Sequence, residues 1–241
     1  MPFTLVDIPR GADPLTAEQS LLAQAASGQS LAHLWQAPVC LVVPRSYLRF
    51  PAFEPAREQF ARDGCPVHLR LSGGGLVPQG PGILNLSLAY PVRGTMGTMA
   101  DTVYMHLCDI LRHALAILGI DTHWQAVEGS FCDGRFNLAW GPREDARKIA
   151  GTAQYWRRAG DHHVVLAHAV LLVDADPAEI NARANAFEAA IGSGRRYGAD
   201  RVVSVRQALD MAGRTVPEDL MGRMEAALRA MVANAELPDG V

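Results

Sequence analysis

The stretch Arg147 to Val173 reads RKIAGTAQYWRRAGDHHVVLAHAVLLV and holds two strand candidates, Ile149 to Trp156 and Val164 to Val173. Both are rich in β-branched and aromatic residues, the side chains that fit a pleated surface. Trp124 to Val127 and Phe136 to Trp140 precede them as shorter candidates. Further upstream, Ile83 to Ala89 alternates: Ile83, Asn85 and Ser87 share one face, Leu84, Leu86 and Leu88 the other. Val67 to Leu71 and Val39 to Val43 are further strand candidates, and Gly73 to Gly82 is a Gly/Pro-rich loop. Helices are predicted at Thr16 to Ala26, with Thr16 and Gln19 as a capping box, and at Pro55 to Asp63. Thr98 to Leu118 carries an apolar stripe of Met99, Val103, Leu107, Ile110, Leu111, Ala114 and Leu118. Pro177 to Ala190 and Pro217 to Asn234 complete the helices, with Arg201 to Val205 an extended piece leading into a helix near Gln207. The pattern is α+β: a mixed, mostly antiparallel sheet flanked by helices. We read 1–241 as one domain, with about 205–241 a C-terminal helical appendage.

Composition narrows the function. The 241 residues are 49% hydrophobic and 20% charged, a folding composition rather than a disordered one. A net charge of −3 gives no basic footprint, so no nucleic-acid partner is expected. The run from Val164 to Val173 is broken by His168 and is too short to span a bilayer, so no membrane association is expected. The N-terminus shows no secretory pattern, and Cys40, Cys65, Cys108 and Cys132 show no CxxC spacing. A reduced, cytoplasmic protein with no metal site is the expectation. Of the 22 basic residues, Lys148 alone is lysine. Lysine and arginine exchange freely on a solvated surface but not where a compact amine must touch one atom.

Three constellations could carry chemistry. In Arg70-Leu71-Ser72-Gly73-Gly74-Gly75, glycines let backbone N–H groups crowd an anion or carbonyl, and Arg70 offers a forked donor. A bare glycine run also fits a plain surface loop; the Arg and the polar face of Asn85 and Ser87 favour a ligand loop. In Lys148-Ile149-Ala150-Gly151-Thr152-Ala153, an amine stands beside small residues, suited to stabilising developing negative charge on an oxygen. An edge strand with a solvated lysine is the bland alternative. In Phe131-Cys132-Asp133-Gly134, a cysteine beside a turn would become nucleophilic if Lys148 lay near. An inert buried thiol is the competing reading. His106, Asp109 and His113 could share a helix face, which reads as a polar edge rather than a metal site.

Taken in order, Arg70 to Gly75, Asn85 and Ser87, Lys148 to Ala153 and His168 to Asp174 resemble the lipoate-protein ligase and octanoyltransferase family. That family belongs to the same superfamily as the biotin-protein ligase catalytic domain, and the resemblance covers about residues 15–210. It implies the mixed sheet read above. It also implies attachment of a lipoyl or octanoyl group, in amide linkage, to one lysine of a small carrier domain. Lys148 matches the family's active-site lysine. Arg70, Ser72 and Gly73 to Gly75 match the loop around the acyl chain or adenylate, and Asn85, Ser87 and His168 match strand positions facing that pocket. Asn137 falls where many members have Asp, and Gly151, Thr152 and Ala153 would form a small-residue floor.

Two mechanisms fit the resemblance. A ligase would use lipoate or octanoate with ATP and Mg, and release AMP from an acyl-adenylate. A transferase would pass the acyl group through a thioester on a cysteine. Ser130-Phe131-Cys132-Asp133-Gly134 is similar to the Ser-Tyr-Cys-Pro-Gly of the cysteine-using transferases. Gly80-Pro81-Gly82 is similar to the octanoyltransferase loop rather than the His-Asp-Leu-Gly-Asn of ligases. The partners implied are a lipoyl-domain or similar carrier protein and, for a transferase, an acyl carrier protein. A non-catalytic acyl- or carrier-binding protein is the alternative of a different class.

Overall fold

The computed structural model describes residues 2–8 and 14–238. In chain order its elements are β1 (Thr4–Leu5), α1 (Pro14–Ala26), β2 (Leu31–Trp35), β3 (Cys40–Pro44), α2 (Phe53–Arg62), β4 (Val67–Arg70), β5 (Val77–Gln79) and β6 (Ile83–Val92). They continue with α3 (Met96–Ile117), β7 (His123–Trp124), β8 (Leu138–Trp140), β9 (Arg147–Ala159), β10 (His162–Leu172), α4 (Pro177–Ala190), α5 (Val205–Met211) and α6 (Leu220–Asn234). Short 3₁₀ turns fall at Arg45–Arg49, Arg143–Asp145 and Ala199–Arg201.

Seven strands form one sheet in the order β1-β2-β6-β10-β9-β8-β7, antiparallel at every pairing except β1 with β2. A second sheet, β4-β3-β5, pairs β3 parallel to β4 and antiparallel to β5. The mixed, mostly antiparallel α+β reading therefore holds.

The alternation along β6 decides which side packs where. Leu84, Leu86 and Leu88 join Val165, Ala167 and Ala169 of β10 in the main core beneath α3, α5 and α6. Leu220, Met224, Leu228 and Val232 of α6 sit in that same core. On the opposite face, α1 covers one end through Leu21, Leu22 and Ala25. The small sheet, α2 and α4 cover the other end, with Phe53, Phe187, Leu41 and Val67 packed on Val170 and Leu172. Two covers on one sheet face leave a gap between them, and the site lies there.

Several predicted elements shift. α1 starts at Pro14, so Thr16 lies within its first turn instead of capping it. The Gly73–Gly82 loop contains strand β5, whose Pro78 is tolerated because β5 is an edge of the small sheet. Trp124 to Val127 shrinks to the two residues of β7, and Arg201 to Val205 makes only the single bridge from Val202 to Lys148. β1 and β2 were not foreseen. In β2 the residues Leu31, Ala32, His33 and Leu34 are all buried, so no alternation marks it.

Candidate active site

The gap between the two covers is a cleft of about 530 Å³. Val42, Val77, Val170, Phe131, Ala153 and Trp35 give it apolar walls, and Arg70, Gln79, Cys132, Lys148, Thr152, His168 and Glu18 supply its polar groups. Long apolar walls with a few converging polar groups suit a small molecule with an aliphatic part.

Lys148 reaches the cleft because β9 is irregular at its start. Its register with β8 shifts between Leu138 and Ala139, so Leu138 faces Ala150 while Ala139 faces Lys148. Ile149 and Ala150 both enter the main core. In a regular strand, residues three apart point to opposite faces; the irregularity turns both Lys148 and Gly151 toward the cleft. A Cβ at Gly151 would stand 2.9 Å from both Cε and Nζ of Lys148, so a larger residue there would displace the amine. The ammonium is 1% exposed. It donates to the carbonyls of Phe131 at 2.6 Å and Cys132 at 3.0 Å, and lies 4.7 Å from the centre of the Phe131 ring. Burial pulls its pKa down to about 8, against the opposing pull of Cys132 and Asp133.

Cys132 sits on the turn that those carbonyls belong to, with φ of +46°, the only described non-glycine residue in the left-handed region. Such a conformation strains a side-chain-bearing residue and lifts it out of the local backbone run. Its Sγ accepts from the Gly75 N–H at 3.3 Å and stands 3.9 Å from Arg70 Nη2. Burial pushes the thiol pKa up, but Lys148, Arg70 and the Gly75 N–H together hold it below the ordinary value. At Cys40 and Cys108 burial outweighs the pull of Arg183 and Arg112, and both thiols are pushed up to about 12. All four cysteines are free.

The glycine loop wraps this sulfur. Gly74 has φ of +102°, and a Cβ on it would lie 2.6 Å from Cys132 Sγ. Arg70 is not free to fork onto a ligand: Nη1 donates to the Val42 carbonyl at 3.0 Å, and Nη2 to those of Gly73 at 2.8 Å and Gly75 at 2.7 Å. Its role in this geometry is to shape the loop and to present positive charge to the sulfur. This corrects the expectation of a forked donor.

Across the sheet, register builds a polar row. Ser87 pairs with His33 and His168, and His168 pairs with Ala153. Ser87 Oγ bonds His168 Nδ1 at 2.9 Å and accepts from Trp35 Nε1 at 3.2 Å. Burial, with Arg70 and His33 nearby, drops the His168 pKa to about 3, so the ring is neutral at ordinary pH. Asn85 and Gln79 exchange amide bonds at 2.9 Å in both directions.

Of the expected site residues, Arg70, Cys132, Lys148, Gly151, Thr152, Ala153 and His168 line the cleft. Ser72, Gly73, Gly74, Gly75, Asn85, Ser87 and Asn137 lie outside its lining: Asn85 and Ser87 hold Gln79, Trp35 and His168, and Asn137 is buried. Sequence reasoning missed Glu18, Trp35, Gln79 and Phe131. Of these, Gln79 had a signal: it precedes the strand whose polar face was recognised. Among the described residues no group of three His, Cys, Asp or Glu is arranged for a metal, and His106 bonds the Glu236 carbonyl at 2.8 Å. No described helix is long and apolar enough to cross a membrane.

A fold and cleft of this kind suit a domain that takes up a small molecule with an aliphatic part. The lipoyl protein ligase A/B catalytic domain model matches residues 10–228, and the chain belongs to the family of lipoate-protein ligases and octanoyltransferases. It is 61% identical to an uncharacterized protein of Cupriavidus necator, over 99% of this chain and 100% of that one. It is 36% identical to the octanoyl-GcvH:protein N-octanoyltransferase of Kyrpidia tusciae over 68% of this chain. That match covers 59% of the transferase, so the chain accounts for little more than half of its length. A putative lipoate protein ligase from T. acidophilum shares the fold, with a TM-score of 0.61 over 96% of this chain and 83% of that chain at 16% identity. A lipoate-protein ligase A bound with ATP gives 0.57 over 97% and 95% at 17% identity.

Proposed function

We propose that the protein is a cysteine-dependent acyltransferase that moves an octanoyl or lipoyl group onto a lysine of a lipoyl-domain or GcvH-like carrier protein. The observation that carries this reading is the setting of Cys132: a strained, half-buried cysteine in a cleft, beside a lone lysine, an arginine and a backbone N–H. A ligase has no need of a thiolate there. The similarity to an octanoyl-GcvH:protein N-octanoyltransferase supports the same reading.

The chemistry runs in two halves. The Cys132 thiolate attacks the acyl carbonyl of the donor, the new S–C bond forms as the donor's own C–S or C–N acyl bond breaks, and the donor's thiol or amine leaves with a proton taken from solvent. The neutral amine of the carrier lysine then attacks the thioester, the C–S bond breaks as the amide forms, the amine's proton passes to solvent, and the Cys132 thiolate is released. In each half the carbonyl oxygen becomes an oxyanion. Lys148 spends two donors on the Phe131 and Cys132 carbonyls, leaving its third for that oxygen. The Gly75 N–H, which faces the sulfur at rest, is a backbone donor beside the reacting centre. Val42, Val77, Val170 and Ala153 offer the aliphatic tail an apolar bed. His168, neutral and bonded to Ser87, contributes a hydrogen-bonding edge rather than a charge. Residues 1–241 act as one catalytic unit, with α6 part of its core.

Intact-protein mass spectrometry after incubation with octanoyl-acyl carrier protein or octanoyl-GcvH tests the proposal. An octanoyl adduct absent from Cys132→Ser supports it. No adduct, with pyrophosphate released from ATP in the presence of lipoate and magnesium, overturns it in favour of a ligase.

A further inference from the structure

Three consecutive glycines cannot hold a loop in one shape by themselves, because each has the widest backbone freedom of any residue. Yet the Gly75 N–H must stay aimed at the Cys132 sulfur. The peptide unit that follows it, between Gly75 and Leu76, is fastened at both ends. Its oxygen accepts from Arg70 Nη2 at 2.7 Å, and its N–H donates to the hydroxyl of Tyr47 at 3.0 Å.

Tyr47 is itself held. Its hydroxyl donates to Glu188 Oε1 at 2.6 Å and accepts from Arg195 Nη1 at 2.7 Å. The Tyr197 hydroxyl donates to the same Glu188 oxygen at 2.6 Å, and lies 3.8 Å from where a Gly75 Cβ would be. Glu188 comes from α4, which packs against β5 of the small sheet, and is fully buried, with its second oxygen lacking a hydrogen-bond partner. A buried carboxyl with a spare oxygen costs stability. An apolar residue at this point would pack without that cost, so the cluster does something packing does not.

We propose that Glu188 is a positioning residue for Cys132: by orienting Tyr47 and Tyr197 it pins the Gly75–Leu76 peptide, and so keeps the Gly75 N–H on the sulfur. The inference rests on Cys132 being the nucleophile, but it concerns the state of the thiol and is read without any acyl donor. Burial works against the thiolate, and Lys148 from β9, Arg70 from β4 and the Gly75 N–H favour it; Tyr104 from α3 lies near enough for its own pKa to be raised by Cys132. Glu188 touches none of the sulfur's partners directly, so its effect passes through the loop.

The test is the pH profile of Cys132 alkylation by iodoacetamide, read by peptide mass, in the wild type and in Tyr47→Phe and Glu188→Gln, with Tm measured alongside. The expected result is a midpoint about half to one pH unit higher in both variants, with Cys132 alkylation at pH 7 about threefold to tenfold slower. A lower Tm with an unmoved midpoint shows a merely structural cluster and overturns the proposal. If Glu188→Gln does not fold, Tyr47→Phe, which removes one hydroxyl and no charge, decides alone. An absent octanoyl adduct in the wild type together with shifted midpoints sinks the nucleophile reading and leaves the positioning role standing.

Discussion

Lys148 Nζ donates to the carbonyl oxygen of Cys132 at 3.0 Å, so the lone lysine of the chain fastens the backbone of the residue whose thiol it polarises. One amine thus does two things: it holds a strained turn and supplies the charge that favours a thiolate. Arginine can do neither in this space. Its planar fork is larger than an ammonium, and Gly151 shows how little room the amine has. Lys148→Arg is expected to lower acyl transfer by at least about a hundredfold while the far-UV circular dichroism stays that of the wild type. A variant within threefold of wild type would show that the amine has no specific part.

Gly151→Ala probes the same contact from the other side. The added methyl meets Lys148 Cε and Nζ at 2.9 Å, so the end of the lysine must shift, which disturbs its bonds to the Phe131 and Cys132 carbonyls. We expect transfer to fall about tenfold to a hundredfold, as is usual when a catalytic group moves by an ångström, with Tm lowered by a few degrees. Unchanged kinetics would mean that the position of Lys148 is not critical.

These contacts also show what the sequence could carry. The strand alternation at Leu84, Leu86 and Leu88 and the ordered motifs made the sheet and Lys148, Cys132, Arg70 and Gly151 legible, because periodicity and residue type are local properties. That Lys148 and Gly151 face one cleft was hidden, since it depends on a register irregularity opposite β8. The commitment of the Arg70 guanidinium to three carbonyls was equally hidden, since the Val42 carbonyl lies 28 residues away in the chain. Trp35 and Glu18 enter the cleft from segments carrying no motif at all. Site residues that fell within a recognised motif were found, ordinary strand residues such as Thr152 and Ala153 among them; those outside any motif were not.

With the acyl tail in the cleft, as proposed, the floor of the cleft would set how long a chain it accepts. Ala153 lines it opposite His168 in the register of β9 and β10. Ala153→Leu fills part of the space with an isobutyl group. We expect the KM for octanoyl donors to rise about tenfold or more while butyryl transfer is kept within about threefold. Equal losses for both chain lengths would place the acyl tail elsewhere.

The pH dependence of the first half-reaction follows from the two groups that face each other. It is best read as release of free thiol from an octanoyl thioester without carrier protein, so that ionisation of the carrier lysine does not enter. Cys132 must be a thiolate, and its pKa lies below the ordinary thiol value, because Lys148, Arg70 and the Gly75 N–H outweigh burial. Activity therefore rises with pH through a midpoint lower than that of a free cysteine. Lys148 must be an ammonium, and burial has brought its pKa down from 10.5 to about 8. Activity therefore falls again as pH passes about 8, since loss of that proton removes both the oxyanion donor and the charge beside the sulfur. The two groups interact, so the profile is a bell whose limbs belong to the pair. His168, with a pKa near 3, adds no limb above pH 5. Asp133, whose carboxylate raises the Lys148 pKa, gives the diagnostic variant. Asp133→Asn keeps an oxygen for the Val127 N–H that Asp133 now accepts at 2.8 Å, removes the charge, and should move the alkaline limb to lower pH while leaving the fold intact. An alkaline limb near 10 in the wild type, or one that Asp133→Asn does not move, would show that Lys148 does not govern the reaction through its charge.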